Sequence, residues 1–204
     1  RVIYVPSHVG WKLISADFSQ IENRLTALFA NDTDRLQRFL LDPTFSEHKF
    51  AASRFFGIPY DEVEKDNAKD APYGKAKRIV HGSNYGMGAK KISIMYDIDF
   101  QEVKKLLVIW KRDVIGKTTE WQERLAAQAK RQAYLKTPFG RIRPFYTSSY
   151  YTESLSFLPQ STAADILFRA MLGLYYERIA WPLEKVLRVV QIVEPLPEPA
   201  RMLL

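Results

Sequence analysis

Cysteine is absent from the 204 residues. Disulfides and cysteine-ligated zinc are therefore excluded, which fits a reducing, cytoplasmic setting. No apolar run is long enough for a membrane-spanning helix, and no signal-peptide pattern precedes the first expected strand, so no membrane partner is expected. Acids are outnumbered, with 23 Asp and Glu against 30 Lys and Arg, and the formal net charge is +7. That excess favours a polyanionic partner, nucleic acid first, although many basic proteins bind none. An initiator methionine is also missing. The chain opens on Arg1 and stops at Leu204 inside an apolar run, so a piece of a longer protein is expected. What is present is apolar matter enough for a core, 47% of residues, in a length suited to one large domain or two small ones.

The chain is organised around its first acid. Leu13 to Ala16 is a short apolar run suited to a buried strand, and Asp17 stands where it ends. Ser19 is placed to cap a helix from Gln20 to Ala30, with Ile21, Leu25, Leu28 and Phe29 on one face. A carboxylate at such a junction sits at a rim that an ion and a substrate can reach, although capping is its commoner job. Asn31-Asp32 and Asp42-Pro43 then break the pattern. Ser46 caps a helix from Glu47 to Phe56, which Gly57-Ile58-Pro59 stops. His48 lies within it, a position usually solvated or packed.

Helical spacing from Tyr73 puts Tyr73, Lys77, His81 and Tyr85 on one stripe, with Ile79 and Val80 opposite. A cation among flat rings suits a nucleotide, the cation for phosphates and the rings for a base. Gly82 and Gly86 beside the stripe would let a base approach the backbone. The alternative is an amphipathic helix with an incidental basic side. Helices are expected from Asp99 to Lys111 and from Lys117 to Lys130, with Trp110, Trp121 and Leu125 in the core. Arg124, Lys130, Arg131 and Lys136 make the second of them and its sequel basic. Arg141 and Arg143 follow in a turn and suit backbone phosphates or plain solvent. Pro159 to Asp165 leads into a helix with Ile166, Leu167, Ala170, Leu174 and Tyr175 on its apolar side. A helix or strand near residues 181–193, a Pro-rich connector at 194–199 and a strand from Ala200 complete the reading.

Four stretches, in order, resemble the motifs of the family A DNA polymerases. Asp17-Phe18-Ser19-Gln20-Ile21-Glu22-x-Arg24 is similar to D-Y-S-Q-I-E-x-R. Lys77, Gly82, Tyr85 and Gly86 match R-x-x-x-K-x-x-x-F/Y-G-x-x-Y-G, with Tyr73 in place of the Arg and His81 in place of Phe or Tyr. Thr137 to Arg143 resembles T-x-F-G-R-x-R, and Pro159 to Asp165 resembles P-x-Q-G-T-A-A-D with Ser161 for Gly. A looser likeness covers Ser46 to Ala52, where the family carries D-x-H-x-x-x-A.

The resemblance implies an α+β right-hand polymerase fold. Residues 1–45 would begin an antiparallel palm sheet, 46–150 would form mostly helical fingers, and 151–204 would return to the palm. It implies template-directed nucleotidyl transfer from a deoxynucleoside triphosphate to a primer 3′-hydroxyl, with two magnesium ions, on primer-template DNA. Asp17 would be a catalytic metal ligand, with the Phe18 carbonyl beside it. Lys77 would serve the leaving pyrophosphate. Gln20, Glu22, His48, His81 and Tyr85 would line the nucleotide site, Glu22 as the wall against a 2′-hydroxyl. Arg141, Arg143 and Gln160 would touch DNA. A second metal-binding Asp is expected beyond Leu204, so the chain alone is expected to be inactive. The alternative is a DNA-binding remnant without catalysis.

Overall fold

The computed structural model describes residues 17–146 and 150–177. The strands expected before Asp17 and after Ala200, and the connector at 194–199, lie outside those residues. Helix α1 spans Ile21–Phe29 and α2 spans Thr33–Leu41. The breaks at Asn31-Asp32 and Asp42-Pro43 flank α2, a helix that the sequence pattern does not predict. Asn31 turns the chain with a φ of 51°, and the Asp32 side chain caps α2 at the Arg35 N–H. Helix α3, Glu47–Phe56, is capped by Ser46 and closed by Gly57 in the left-handed conformation, as expected.

Ser19 does not cap α1. Gln20 holds the cap position with a φ of 53° and does not cap α1 through its side chain. A left-handed glutamine is strained, and its amide secures it instead: Nε2 donates to the Phe45 carbonyl at 2.6 Å, and Oε1 accepts from the Glu47 N–H at 2.9 Å.

Helices α4 (Pro72–Asn84), α5 (Ala89–Tyr96) and α6 (Phe100–Asp113) follow a 3₁₀ turn at Tyr60–Glu62. They close with α3 around a core of Ala51, Ala76, Ile79, Val80, Ile92 and Trp110. Helix α7, Gly116–Gln132, leads into an antiparallel hairpin, β1 (Tyr134–Lys136) and β2 (Ile142–Pro144), with Leu135 opposite Arg143. Helix α8 runs from Tyr150 to Glu177. A second core joins Ala30, Trp121, Leu125, Leu135, Phe145, Leu155 and Phe157, so it takes side chains from both sides of residues 45 and 150. The class is α+β.

One buried ion pair ties three helices. The Arg35 guanidinium meets both Glu47 oxygens at 2.8 Å and donates to Thr118 Oγ1 at 2.6 Å, and both charged side chains are 0% exposed. No motif in the sequence marks it.

Pro159 does not precede a helix. It lies inside α8, buried, and Asp165 therefore sits in mid-helix rather than opening one. Proline has no N–H for the carbonyl four residues back, yet the packing of its neighbours Leu155, Phe157 and Leu158 on the second core overrides that local cost. The expected apolar side of α8 is corrected too: Ile166 is buried, but Leu167 and Leu174 are exposed.

Candidate nucleotide and nucleic-acid site

Helix α4 is built to be approached closely. Pro72 occupies its first turn, where a missing N–H costs nothing. Gly74 lets the loop before the helix lie against it, since a Cβ there would stand 1.9 Å from the Ala68 carbonyl oxygen. Gly82 serves packing rather than a base: a Cβ would meet Ile92 of α5 at 2.9 Å. Gly86, at a φ of 70°, faces Leu155 and Tyr151 of α8, each 2.6 Å from where a Cβ would lie. Both glycines are consumed by the protein's own contacts.

The stripe of Tyr73, Lys77, His81 and Tyr85 exists in register but divides in use. Tyr73 is buried in the core, edge-on to His48 at 6.0 Å, and so is not free to stack on a base. Lys77 and His81 are exposed. They line a pocket of about 510 Å³ with His48 of α3, Asn67 of the preceding loop, Arg78, and Tyr96 at the end of α5. Its size suits a small ligand. No carboxylate is among its described lining residues. Lys77 Nζ rests on Asn67 Oδ1 at 3.0 Å, a neutral partner. His48 is held down to about 4 by burial first, then by the charges of Lys77 and His81, so at neutral pH its imidazole is uncharged.

Tyr85 connects three helices. Its hydroxyl donates to the Glu22 carboxylate of α1 and accepts from Gln160 Nε2 of α8 at 3.0 Å. Burial, then the bond and charge of Glu22, push its phenol up. The His81 ring meets Tyr85 edge-on at 4.8 Å. Beneath this, Asn84 Nδ2 donates to Asn23 Oδ1 at 2.7 Å, and Asn23 Nδ2 lies 3.5 Å from His48 Nε2. Gln122 of α7 donates to the carbonyls of Ser83 and Asn84, at 2.9 and 3.1 Å, where α4 ends. The structure thus brings Glu22, His81, Tyr85 and Gln160 together, with His48 and Lys77 on the adjoining pocket.

Gln20, Arg141 and Arg143 are engaged within the protein, and Asp17 and Phe18 stand apart from this cluster. Gln20 has both ends of its amide bonded within the protein. Arg141 pairs with Asp165 at 2.6 Å and Arg143 with Glu153 at 2.9 Å, so carboxylates now hold the two guanidiniums expected to face phosphates. Together with Arg169 over the Phe139 ring at 4.4 Å, they seat the hairpin on α8. Asp17 is exposed at the entry to α1, and Phe18 is half-buried beside it. Asp17 carries no hydrogen bond or ion pair among the described residues, and its hard oxygens suit magnesium. No group of three His, Asp or Glu side chains stands together among the described residues.

Asn67, Tyr96 and Asn23 were not foreseen. Asn67 lies in a polar loop without pattern, Tyr96 among core positions, and Asn23 at the one unspecified place in the first motif.

Residues 1–190 match the family model described as DNA polymerase family A. The chain is 30% identical over 175 residues to DNA polymerase I of Pseudomonas aeruginosa, covering 80% of this chain and 18% of that one. It is 30% identical to the thermostable DNA polymerase I of Thermus aquaticus, covering 81% and 20%. It is 29% identical to the DNA polymerase of Mycobacterium phage D29, covering 83% and 26%. Among solved structures, it is similar to the POL domain of Pol1 from M. smegmatis in complex with DNA primer-template and dNTP. The TM-score there is 0.67 and the identity 27%, over 78% of this chain and 28% of that one. The chain therefore spans about a fifth to a quarter of these curated relatives.

Proposed function

Since the chain belongs to DNA polymerase family A, we propose that it carries the nucleotide site and part of the primer-template surface of a template-directed DNA polymerase. The observation that carries this reading is the pocket beside α4, where Lys77, Arg78 and two histidines gather around about 510 Å³ with no described carboxylate. Phosphates enter there, and Lys77 exchanges the Asn67 amide for a phosphate oxygen. The edge of His81 faces the sugar and base, supported by Tyr85. Tyr85 is fixed from both sides, so Glu22 and Gln160 stand at set positions around the new pair. Glu22, tethered by the Tyr85 hydroxyl, is the wall that a 2′-hydroxyl meets. Gln160 retains its amide oxygen and one N–H for the minor groove, whose acceptors are shared by all correct pairs. His48, neutral, donates a hydrogen bond to a phosphate rather than a charge.

Asp17 and the Phe18 carbonyl would hold magnesium, supplied as two ions. Bound there, the metal would acidify the primer hydroxyl and neutralise the leaving pyrophosphate. Arg141 and Arg143 reach phosphates by giving up Asp165 and Glu153. Within this proposal residues 46–150 serve as fingers and the segments on either side as palm, with the second core spanning the joins.

The test is primer extension by a polymerase chain that contains these residues. Asp17→Asn is expected to keep primer-template binding and to lose extension by roughly 10³-fold or more. Extension at the wild-type rate removes Asp17 from the chemistry. Binding without extension in the wild type favours the non-catalytic remnant.

A further inference from the structure

The pocket beside α4 offers several bases for a polyphosphate, and they are not equivalent. Position 73, one turn before Lys77, holds an uncharged ring buried against His48. Lys75 is turned away: its Nζ donates to Glu102 Oε1 at 2.7 Å, with its side chain only 17% exposed, so its charge is answered by α6. His48 carries no standing charge at neutral pH.

Arg78 differs from each of these. It lines the pocket, and its guanidinium rests on two backbone carbonyls, Nη1 on Ala68 at 3.4 Å and Nη2 on Asn67 at 3.3 Å. A guanidinium held by neutral oxygens keeps its full charge, and its planar fork matches two oxygens of one phosphate. The seat is constructed rather than incidental. Asp66 Oδ1 accepts from the Ala68 N–H at 2.8 Å and shapes the loop, and the bare Cα of Gly74 admits the Ala68 carbonyl. The same loop presents Lys77 through Asn67 Oδ1. One short segment thus positions two cations, neither paired with a carboxylate.

We propose that Arg78, seated on the Asn67–Ala68 carbonyls, grips the outermost phosphate of a bound nucleoside triphosphate, supplying the charge that position 73 lacks. Lys77 then serves the inner phosphates, and Asn67 is a positioning residue for both cations. This rests on the nucleotide reading of the pocket given above.

The experiment titrates the 204-residue chain with dATP, dADP and inorganic tripolyphosphate by calorimetry. The wild type is expected to prefer dATP over dADP by about tenfold, a single charge-assisted phosphate contact. Arg78→Gln is expected to abolish that preference while leaving dADP affinity within about twofold, and Lys75→Gln to leave both unchanged. Loss of the preference is the readout, because a purely structural defect weakens both ligands alike. A wild type that binds neither dATP nor tripolyphosphate overturns the nucleotide reading itself. A wild type that binds, with the preference intact in Arg78→Gln, overturns the Arg78 assignment alone. Loss of preference in Lys75→Gln moves the role to Lys75. Should Arg78→Gln lack the wild-type circular dichroism spectrum, Arg78→Lys decides: it keeps the charge without the fork, and an unreduced preference refutes the proposal.

Discussion

At the scale of single residues, His48 links the site to stability. Its imidazole is held down to about 4 by burial and by Lys77 and His81, whereas in the unfolded chain it has the ordinary value near 6.5. Between those values the unfolded state binds the proton and the native state does not. This contribution to stability is therefore full above about pH 6.5 and is lost as the pH falls toward about 4. The shift corresponds to something on the order of 3 kcal/mol. Urea midpoints from pH 7 down to pH 4.5 are expected to decline less steeply in His48→Gln than in the wild type. Identical slopes would remove His48 from the buried network. The helix around His48 was legible from Ser46 and Gly57, but its environment was not. That depends on Asn23, Tyr73, Lys77 and His81, which reach it from α1 and α4. Likewise Glu22, Tyr85 and Gln160 were each readable from a motif, while the hydroxyl joining them is a tertiary fact.

At the scale of elements, one cap and the periodicity were readable and packing was not. Ser46 was legible as the cap of α3, whereas Asp32 and Asp99 cap α2 and α6 without having been read as caps, and Ser19 does not cap α1. Pro159 misleads because the residues just before it, Leu155, Phe157 and Leu158, pack on the second core and carry the helix through a position that lacks a backbone donor. Gly82 and Gly86 mislead because the bodies approaching them are Ile92, Leu155 and Tyr151, not a base. A contrast between two other glycines tests the account. Gly74→Ala drives a methyl into the Ala68 carbonyl and is expected to cost more than about 1 kcal/mol, with the Arg78 seat displaced. Gly116→Ala, at the start of α7 with nothing within 4 Å, is expected to gain about 0.4–1 kcal/mol. Thermal melts of the two variants check this, and destabilisation by Gly116→Ala would contradict it.

At the scale of the whole molecule, the surplus of +7 charge stands against paired surface arginines. Lys130, Arg131 and Lys136 remain exposed along α7 and β1. Affinity of the chain for duplex primer-template is expected to fall roughly tenfold or more between 50 and 200 mM salt, with little preference for sequence. Fluorescence anisotropy across salt checks it, and salt-independent binding would refute a phosphate-driven surface.

The buried Arg35–Glu47 pair also bears on the order of folding. Its partners come from α2, α3 and α7, and Thr118 lies 83 positions beyond Arg35. Neither charge can leave water cheaply until all three helices are docked, so closing this junction is a late event that depends on distant chain segments meeting. Glu47→Ala strands a buried cation and is expected to cost about 3–5 kcal/mol in urea unfolding. Replacing both, Arg35→Met with Glu47→Leu, removes the late desolvation, and stopped-flow refolding of that variant is expected to be faster than wild type. Slower refolding would mean that the pair forms early and guides the helices together.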